Sequence, residues 1–232
     1  MKPEIIRTKN LVDDAANFIL AQARTALGER AGFRVALSGG NTPRPIYGEF
    51  GRIGCDLPWN SVRFTFGDER CVPPNDKESN FRMAREALFD PFNVPERSIL
   101  RMRGEIDPRL AAQEYEDALA VLATQHGETI YQHDLMLLGM GDDGHTASLF
   151  PGTAALEEKV RRVVANFVPK LETFRLTMTY PLLNQARQVL FLVQAEKSPE
   201  ILERVLAGDE TYPAARVAPT SGRLTWMVGE AA

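Results

Sequence analysis

Cysteine is scarce in this 232-residue chain. Cys55 and Cys71 form no CxxC pair, so neither a disulfide scaffold nor a cysteine-based metal knuckle is expected. Histidine is scarcer than the size would allow, with three residues and no zinc-ligand spacing between them. Excess positive charge is missing too. A net charge of −4 speaks against a general nucleic-acid binder, which needs a basic surface. No apolar run is long enough to span a bilayer, and Met1-Lys2-Pro3-Glu4 opens no secretory segment. A cytoplasmic protein with no membrane contact is the expectation. Internal repeats, low-complexity segments and long linkers are absent as well. One domain over residues 1–232 is the simplest organisation at this length.

What is present is an alternation of two periods. Ala16, Ile19, Leu20, Ala23 and Leu27 share one helical face, predicting an amphipathic helix over about 12–31 that Gly32 ends. Phe33–Leu37 reads as a strand, with a helix starting near Pro43. Arg63–Phe66 reads as another strand, and Ser79 as the N-cap of a helix reaching about Phe89. A long helix follows Asp107-Pro108, with Ala111, Tyr115, Ala118, Leu119 and Leu122 as its stripe. Strands are expected at Leu135–Leu138, within 160–167, at Arg175–Thr179, at Val189–Val193 and at Arg223–Val228, with a helix ending before Gly208. Strands alternating with helices predict an α/β fold: a mostly parallel central sheet, helices on both faces, Rossmann-like.

Four strand exits carry chemistry. After the first strand comes Ser38-Gly39-Gly40-Asn41-Thr42-Pro43, a turn whose amides point at a helix start and suit a phosphate. It lacks a Walker lysine and the GxGxxG spacing, so on its own it fits a ligand-free helix cap equally well. After the second comes Asp68-Glu69-Arg70-Cys71, with Cys71 expected to pack. Leu135–Leu138 opens into Gly139-Met140-Gly141-Asp142-Asp143-Gly144-His145, three glycines within six residues. They allow a sharp turn ending in a histidine two residues beyond an aspartate. The last exit is Ala195-Glu196-Lys197-Ser198-Pro199. In a parallel sheet such exits share one edge, where ligands bind. His126 and His133, flanking a polar loop, are expected at the surface.

The wording Gly139-Met-Gly-Asp-Asp-Gly-His-Thr-Ala-Ser-Leu-Phe-Pro-Gly152 closely resembles the signature of 6-phosphogluconolactonases, which share a superfamily with glucosamine-6-phosphate deaminases. Ser38–Pro43, Asp68–Pro73, Ser79-Asn80-Phe81 and Arg175–Asn184 match the same family, in order, over nearly the whole chain. The resemblance implies the deaminase-like fold and hydrolysis of 6-phospho-D-glucono-1,5-lactone in the oxidative pentose phosphate pathway, without metal or organic cofactor. It implies His145 as general base, Asp143 as its orienting partner and Arg70 as a cation for the developing oxyanion or the carboxylate product. Ser38, Gly39, Gly40, Asn41 and Thr42 with Lys197 and Arg175 are implied to hold the sugar phosphate, and Asp68 to contact substrate or Arg70, with Lys170 a weaker candidate. The expected partner is therefore a small sugar-phosphate lactone, acted on by a monomer or homodimer. The deaminases carry a glutamate five residues after the histidine. Phe150 stands there in this chain, and an apolar ring carries no proton. A sugar-phosphate sensor without turnover is the alternative from another class, and His145→Ala separates the two.

Overall fold

The computed structural model describes residues 2–230. In chain order its elements are β1 (Glu4–Thr8), α1 (Leu11–Arg30), β2 (Phe33–Leu37), α2 (Pro43–Ile53), β3 (Val62–Phe66), β4 (Asp68–Arg70), α3 (Asn80–Ala84), α4 (Pro108–Gln125), β5 (Leu135–Leu138), β6 (Val163–Val168), β7 (Thr173–Met178), α5 (Tyr180–Leu183), β8 (Gln188–Gln194), α6 (Pro199–Leu206) and β9 (Arg223–Gly229). Six strands form one sheet in the order β1-β9-β8-β5-β2-β3, and every pairing in it is parallel.

The apolar runs of the middle strands follow from burial on both faces. Leu135, Leu137, Leu190 and Leu192 enter the core beneath α1 and α2, whereas Met136, Leu138, Val189 and Phe191 enter the core beneath α4 and α6. Ends of helices obey local chemistry. Asp107 accepts from the amides of Arg109 and Leu110 at the start of α4, and Ser79 accepts from the Arg82 amide at α3. Helix α1 stops one residue earlier than expected, because Ala31 rather than Gly32 takes the left-handed conformation (φ 55°).

Three features depart from the sequence reading. Glu4–Thr8 forms an edge strand paired with β9. Asp68–Arg70 is a strand rather than a loop, and it joins β7 and β6 in a separate antiparallel sheet of three. His133 is fully buried and not at the surface. Its Nε2 lies 2.9 Å from Thr65 Oγ1, its ring meets Tyr131 edge-on, and burial pulls its pKa down to about 3. His126 is exposed as expected.

The sheet order explains where a site can form. From β2 the chain moves outward through α2 to β3, while β5, on the other flank of β2, leads outward to β8. Adjacent parallel strands whose connections leave in opposite directions open a crevice at their carboxyl ends. Here that crevice lies between the Ser38 and Gly139 exits. The small antiparallel sheet leans over it from β4 and β7.

Candidate active site

A cavity of about 360 Å³ fills this crevice. Its walls include Ser38, Gly39 and Gly40 from the β2 exit, Asp68, Arg70 and Arg175 from the small sheet, and Gly139–Asp142 and His145 from the β5 exit. Asn41, Thr42 and Lys197 line an adjoining recess that shares Gly39, Gly40, Gly139 and Met140 with it. The four strand exits singled out in the sequence thus converge on one place.

The β5 exit folds on itself through local hydrogen bonds. The Gly141 amide donates to the His145 carbonyl at 2.9 Å, the Gly144 amide donates to the Gly141 carbonyl at 3.0 Å, and Thr146 Oγ1 donates to the Gly139 carbonyl at 2.8 Å. Gly144 sits at φ 75°, where a side chain would be strained and a Cβ would strike Tyr212. This tight turn carries Asp143 back to the histidine. Asp143 Oδ1 lies 2.5 Å from His145 Nδ1 and accepts from the His145 amide at 3.2 Å. Asp143 Oδ2 accepts from Lys170 Nζ at 3.1 Å. Burial raises the Asp143 carboxyl, but the bonds from His145 and Lys170 outweigh it and hold the group below the ordinary carboxylate range. With Nδ1 committed to Asp143, Nε2 is the nitrogen left for chemistry in the cavity.

Asp142, Asp143 and His145 bring ligand atoms within 4.8 Å of one another, the geometry a divalent cation could use. Both Asp143 oxygens are already partnered, one of them by an ammonium. A cation there would compete with Lys170, so the arrangement fits a base and its orienting carboxylate better than a metal cage.

Arg70 and Arg175 are register partners across β4 and β7 and both face the cavity. Burial first, then the neighbouring Arg70 charge, lowers the pKa of Arg175, which remains a cation in any protein setting. Arg70 also donates to the Glu78 carbonyl. Two guanidiniums on one wall form a concentrated positive surface for an anionic or developing oxyanionic group. Asp68 is buried and fully engaged: Ser148 Oγ donates to Oδ2 at 2.7 Å, and Asn80 Nδ2 donates to Oδ1 at 3.1 Å. No side-chain bond joins Asp68 to Arg70, so its work in the free protein is to hold Ser148 and Asn80.

At the β2 exit the Ser38 amide is not available as an anion donor. Tyr47 Oη accepts from it at 2.9 Å and donates back to the Ser38 carbonyl at 2.8 Å. Ser38 Oγ, buried, has no partner and lines the cavity. Lys197 Nζ donates to Thr42 Oγ1 at 3.2 Å, joining the β8 exit to the start of α2. Cys71 is half-buried and its thiol is pushed up to about 11, chiefly by burial, so it packs and is no nucleophile. Sequence reasoning missed Ser148 and Asn80 as partners of Asp68. Their signal was faint, since both lie inside matched motifs as ordinary polar residues.

A family profile described as glucosamine-6-phosphate isomerases/6-phosphogluconolactonase matches residues 7–226. A Synechocystis protein named 6-phosphogluconolactonase is 38% identical over 239 residues, covering 100% of this chain and 98% of that one. A human protein of the same name is 36% identical over 212 residues, covering 88% and 81%. Among solved structures, the 6-phosphogluconolactonase from Thermotoga maritima superposes with a TM-score of 0.87 at 29% identity, covering 98% of this chain and all of that one. The 6-phosphogluconolactonase from Trypanosoma brucei gives 0.84 at 26% identity, covering 98% and 96%. This chain belongs to the glucosamine-6-phosphate isomerase/6-phosphogluconolactonase family.

Proposed function

We propose that the chain hydrolyses 6-phospho-D-glucono-1,5-lactone to 6-phospho-D-gluconate, the second step of the oxidative pentose phosphate pathway, as a cytoplasmic single-domain enzyme over residues 1–232 that works as a monomer or homodimer. The observation that carries this reading is the 2.5 Å Asp143–His145 contact beside a cavity walled by two arginines. A lactone is an activated ester and needs little more than an activated water. Nε2 of His145 takes a proton from that water as its oxygen bonds to the lactone carbonyl carbon. Asp143 stabilises the imidazolium that results. Arg70 faces the oxyanion, and Arg175, which the family resemblance assigned to the phosphate, stands beside it on the same wall and adds to its charge. Collapse of the tetrahedral intermediate breaks the bond to the ring oxygen, which takes the proton from the imidazolium, and leaves a carboxylic acid that loses its remaining proton to solvent to become the carboxylate. The 6-phosphate is assigned to the Gly39–Thr42 turn and Lys197, whose partner Thr42 already draws it to that recess. No cofactor enters the scheme.

The deaminase branch of the family is disfavoured by Phe150, which stands beside the imidazole where those proteins are expected to carry a carboxylate. The direct test follows disappearance of lactone generated fresh from glucose 6-phosphate, with a protein-free blank because the lactone hydrolyses spontaneously. Wild type should accelerate the reaction, and His145→Ala should lose most of the acceleration. A wild type that matches the blank ends the lactonase reading, and sugar-phosphate binding without turnover becomes the reading to test.

A further inference from the structure

The imidazole of His145 is held by more than its bond to Asp143. The Phe150 ring stacks on it with centroids 4.0 Å apart and planes 23° from parallel. Phe150 is itself buried (8% exposed). The Thr146–Leu149 bridge closes the short segment between His145 and Phe150, and Leu149 is fully buried. From another direction the ring meets the backbone of Gly141. A Cβ at that position would stand 2.0 Å from Cε1 and 2.2 Å from Nδ1, and its three nearest atoms would all be imidazole atoms. A hydrogen bond at Nδ1 alone leaves the ring free to tilt about the Nδ1–Asp143 line. A stacked aromatic face removes that freedom, because tilting costs contact across the whole ring.

We propose that Phe150 is a positioning residue for His145: its stacked ring, with the close backbone of Gly141, sets the plane of the imidazole so that the Nε2 lone pair points at the water to be activated. Proton transfer depends on that direction as well as on distance, and a misaimed base loses rate even when it stays in reach. The proposal rests on the lactonase reading. It assigns the position a task of its own, beyond being unable to carry a proton.

The test compares wild type, Phe150→Leu, Phe150→Met and Phe150→Tyr in the full chain. The chain has three histidines, so their Cε1–H signals are few, and His145→Gln identifies the one that matters. In wild type the His145 signal should be shifted upfield by the Phe150 ring current. That shift should vanish in the Leu and Met variants and persist in the Tyr variant. Activity should follow: kcat falling roughly three- to tenfold in the Leu and Met variants, the size of an aromatic pair's contribution, with KM changed less than twofold. Phe150→Tyr should stay near wild type. Two aliphatic replacements guard against one failing to fold. The proposal is overturned if an aliphatic variant that loses the ring-current shift keeps wild-type kcat, if the loss falls in KM, or if Phe150→Tyr is as slow as Phe150→Leu. A wild type no faster than the blank would instead remove the lactonase reading and the proposal's catalytic half together.

Discussion

Replacing Asp143 by asparagine separates the electrostatics of the base from its position. The two side chains have the same shape, so the turn from Gly139 to His145 should survive. The chemistry at Nδ1 does not survive. In wild type the carboxylate can only accept, so at 2.5 Å it fixes the proton on Nδ1 and leaves Nε2 as a free base. An asparagine turned to keep Lys170 on its carbonyl, at the 3.1 Å position now held by Oδ2, presents its NH2 to Nδ1. That donor favours the opposite tautomer, with the proton on Nε2 and no lone pair facing the water. General-base assistance is typically worth about 10²- to 10⁴-fold, or about 2.7–5.4 kcal/mol of barrier.

The expected result is therefore a fall in kcat/KM of about 10²- to 10⁴-fold, with the loss in kcat, since Asp143 is assigned no contact with the phosphate. Titration of Asp143 does not contribute near neutral pH, because the group is held below its ordinary value of 3.8. The assay is lactone disappearance above the spontaneous rate, with binding of the unreactive product 6-phosphogluconate as a control for site integrity. A variant that folds, binds product and retains more than a third of wild-type kcat would refute the argument. It would mean that tautomer selection by Asp143 is not what prepares His145, and that the short contact serves the turn instead.

Gly141→Ala should remove most activity while leaving the melting temperature within a few degrees of wild type, because the new Cβ falls 2.0 Å from His145 Cε1 and the nearest way out is to displace the imidazole; thermal unfolding and turnover on the same sample check both halves. Lys197→Ala should raise KM by up to about fivefold, the scale of an exposed ion pair, with kcat unchanged, and the difference from wild type should shrink as salt is raised. Stability should depend on His133. Its folded pKa is depressed to about 3 while the unfolded chain titrates near 6.5, so the unfolded state binds the extra proton between these values. Stability is then complete above pH 6.5 and falls as pH drops below it, by up to about 1.4 kcal/mol per pH unit from this one group. Urea unfolding of wild type and His133→Gln between pH 7 and 5 should show the shallower slope in the variant, and parallel slopes would exclude the mechanism.

Most of the site was legible because its residues sit where strand ends meet turn signals. Gly139–His145 follows a fully apolar run, and the parallel order β8-β5-β2-β3 brings that exit beside Ser38, Asp68 and Lys197. Periodicity gives the strands, and parallel pairing gives their common edge. The antiparallel sheet was hidden for a physical reason. Asp68–Arg70 is three charged residues long and has no apolar alternation. Its strand character comes from β7, whose residues Arg175, Leu176 and Thr177 supply the partner backbone, and a pairing across a hundred residues leaves no local trace. His133 was misplaced because the polar residues around it read as a loop. Burial there follows from Asp134, whose Oδ2 accepts from the Arg34 amide and whose Oδ1 accepts from Arg30, drawing the segment onto the start of β2.

The small sheet bears directly on the catalysis proposed above. Pairing β4 with β7 sets Arg70 opposite Arg175 and Asp68 opposite Thr177. Thr177 Oγ1 then accepts from the Ser148 amide at 3.2 Å, and Ser148 Oγ reaches Asp68 at 2.7 Å. Asn166, from β6, donates to the Ser148 carbonyl at 2.9 Å. Ser148 is thus tied to all three strands of the small sheet, and it lies between His145 and Phe150 in sequence. The sheet that carries the two arginines therefore also anchors the segment joining the base to its stacking partner. A shift of β7 relative to β4 would part Arg70 from Arg175 and break one of the two ties on Ser148, so the pairing of these strands holds the cation wall and the His145–Phe150 segment in one arrangement.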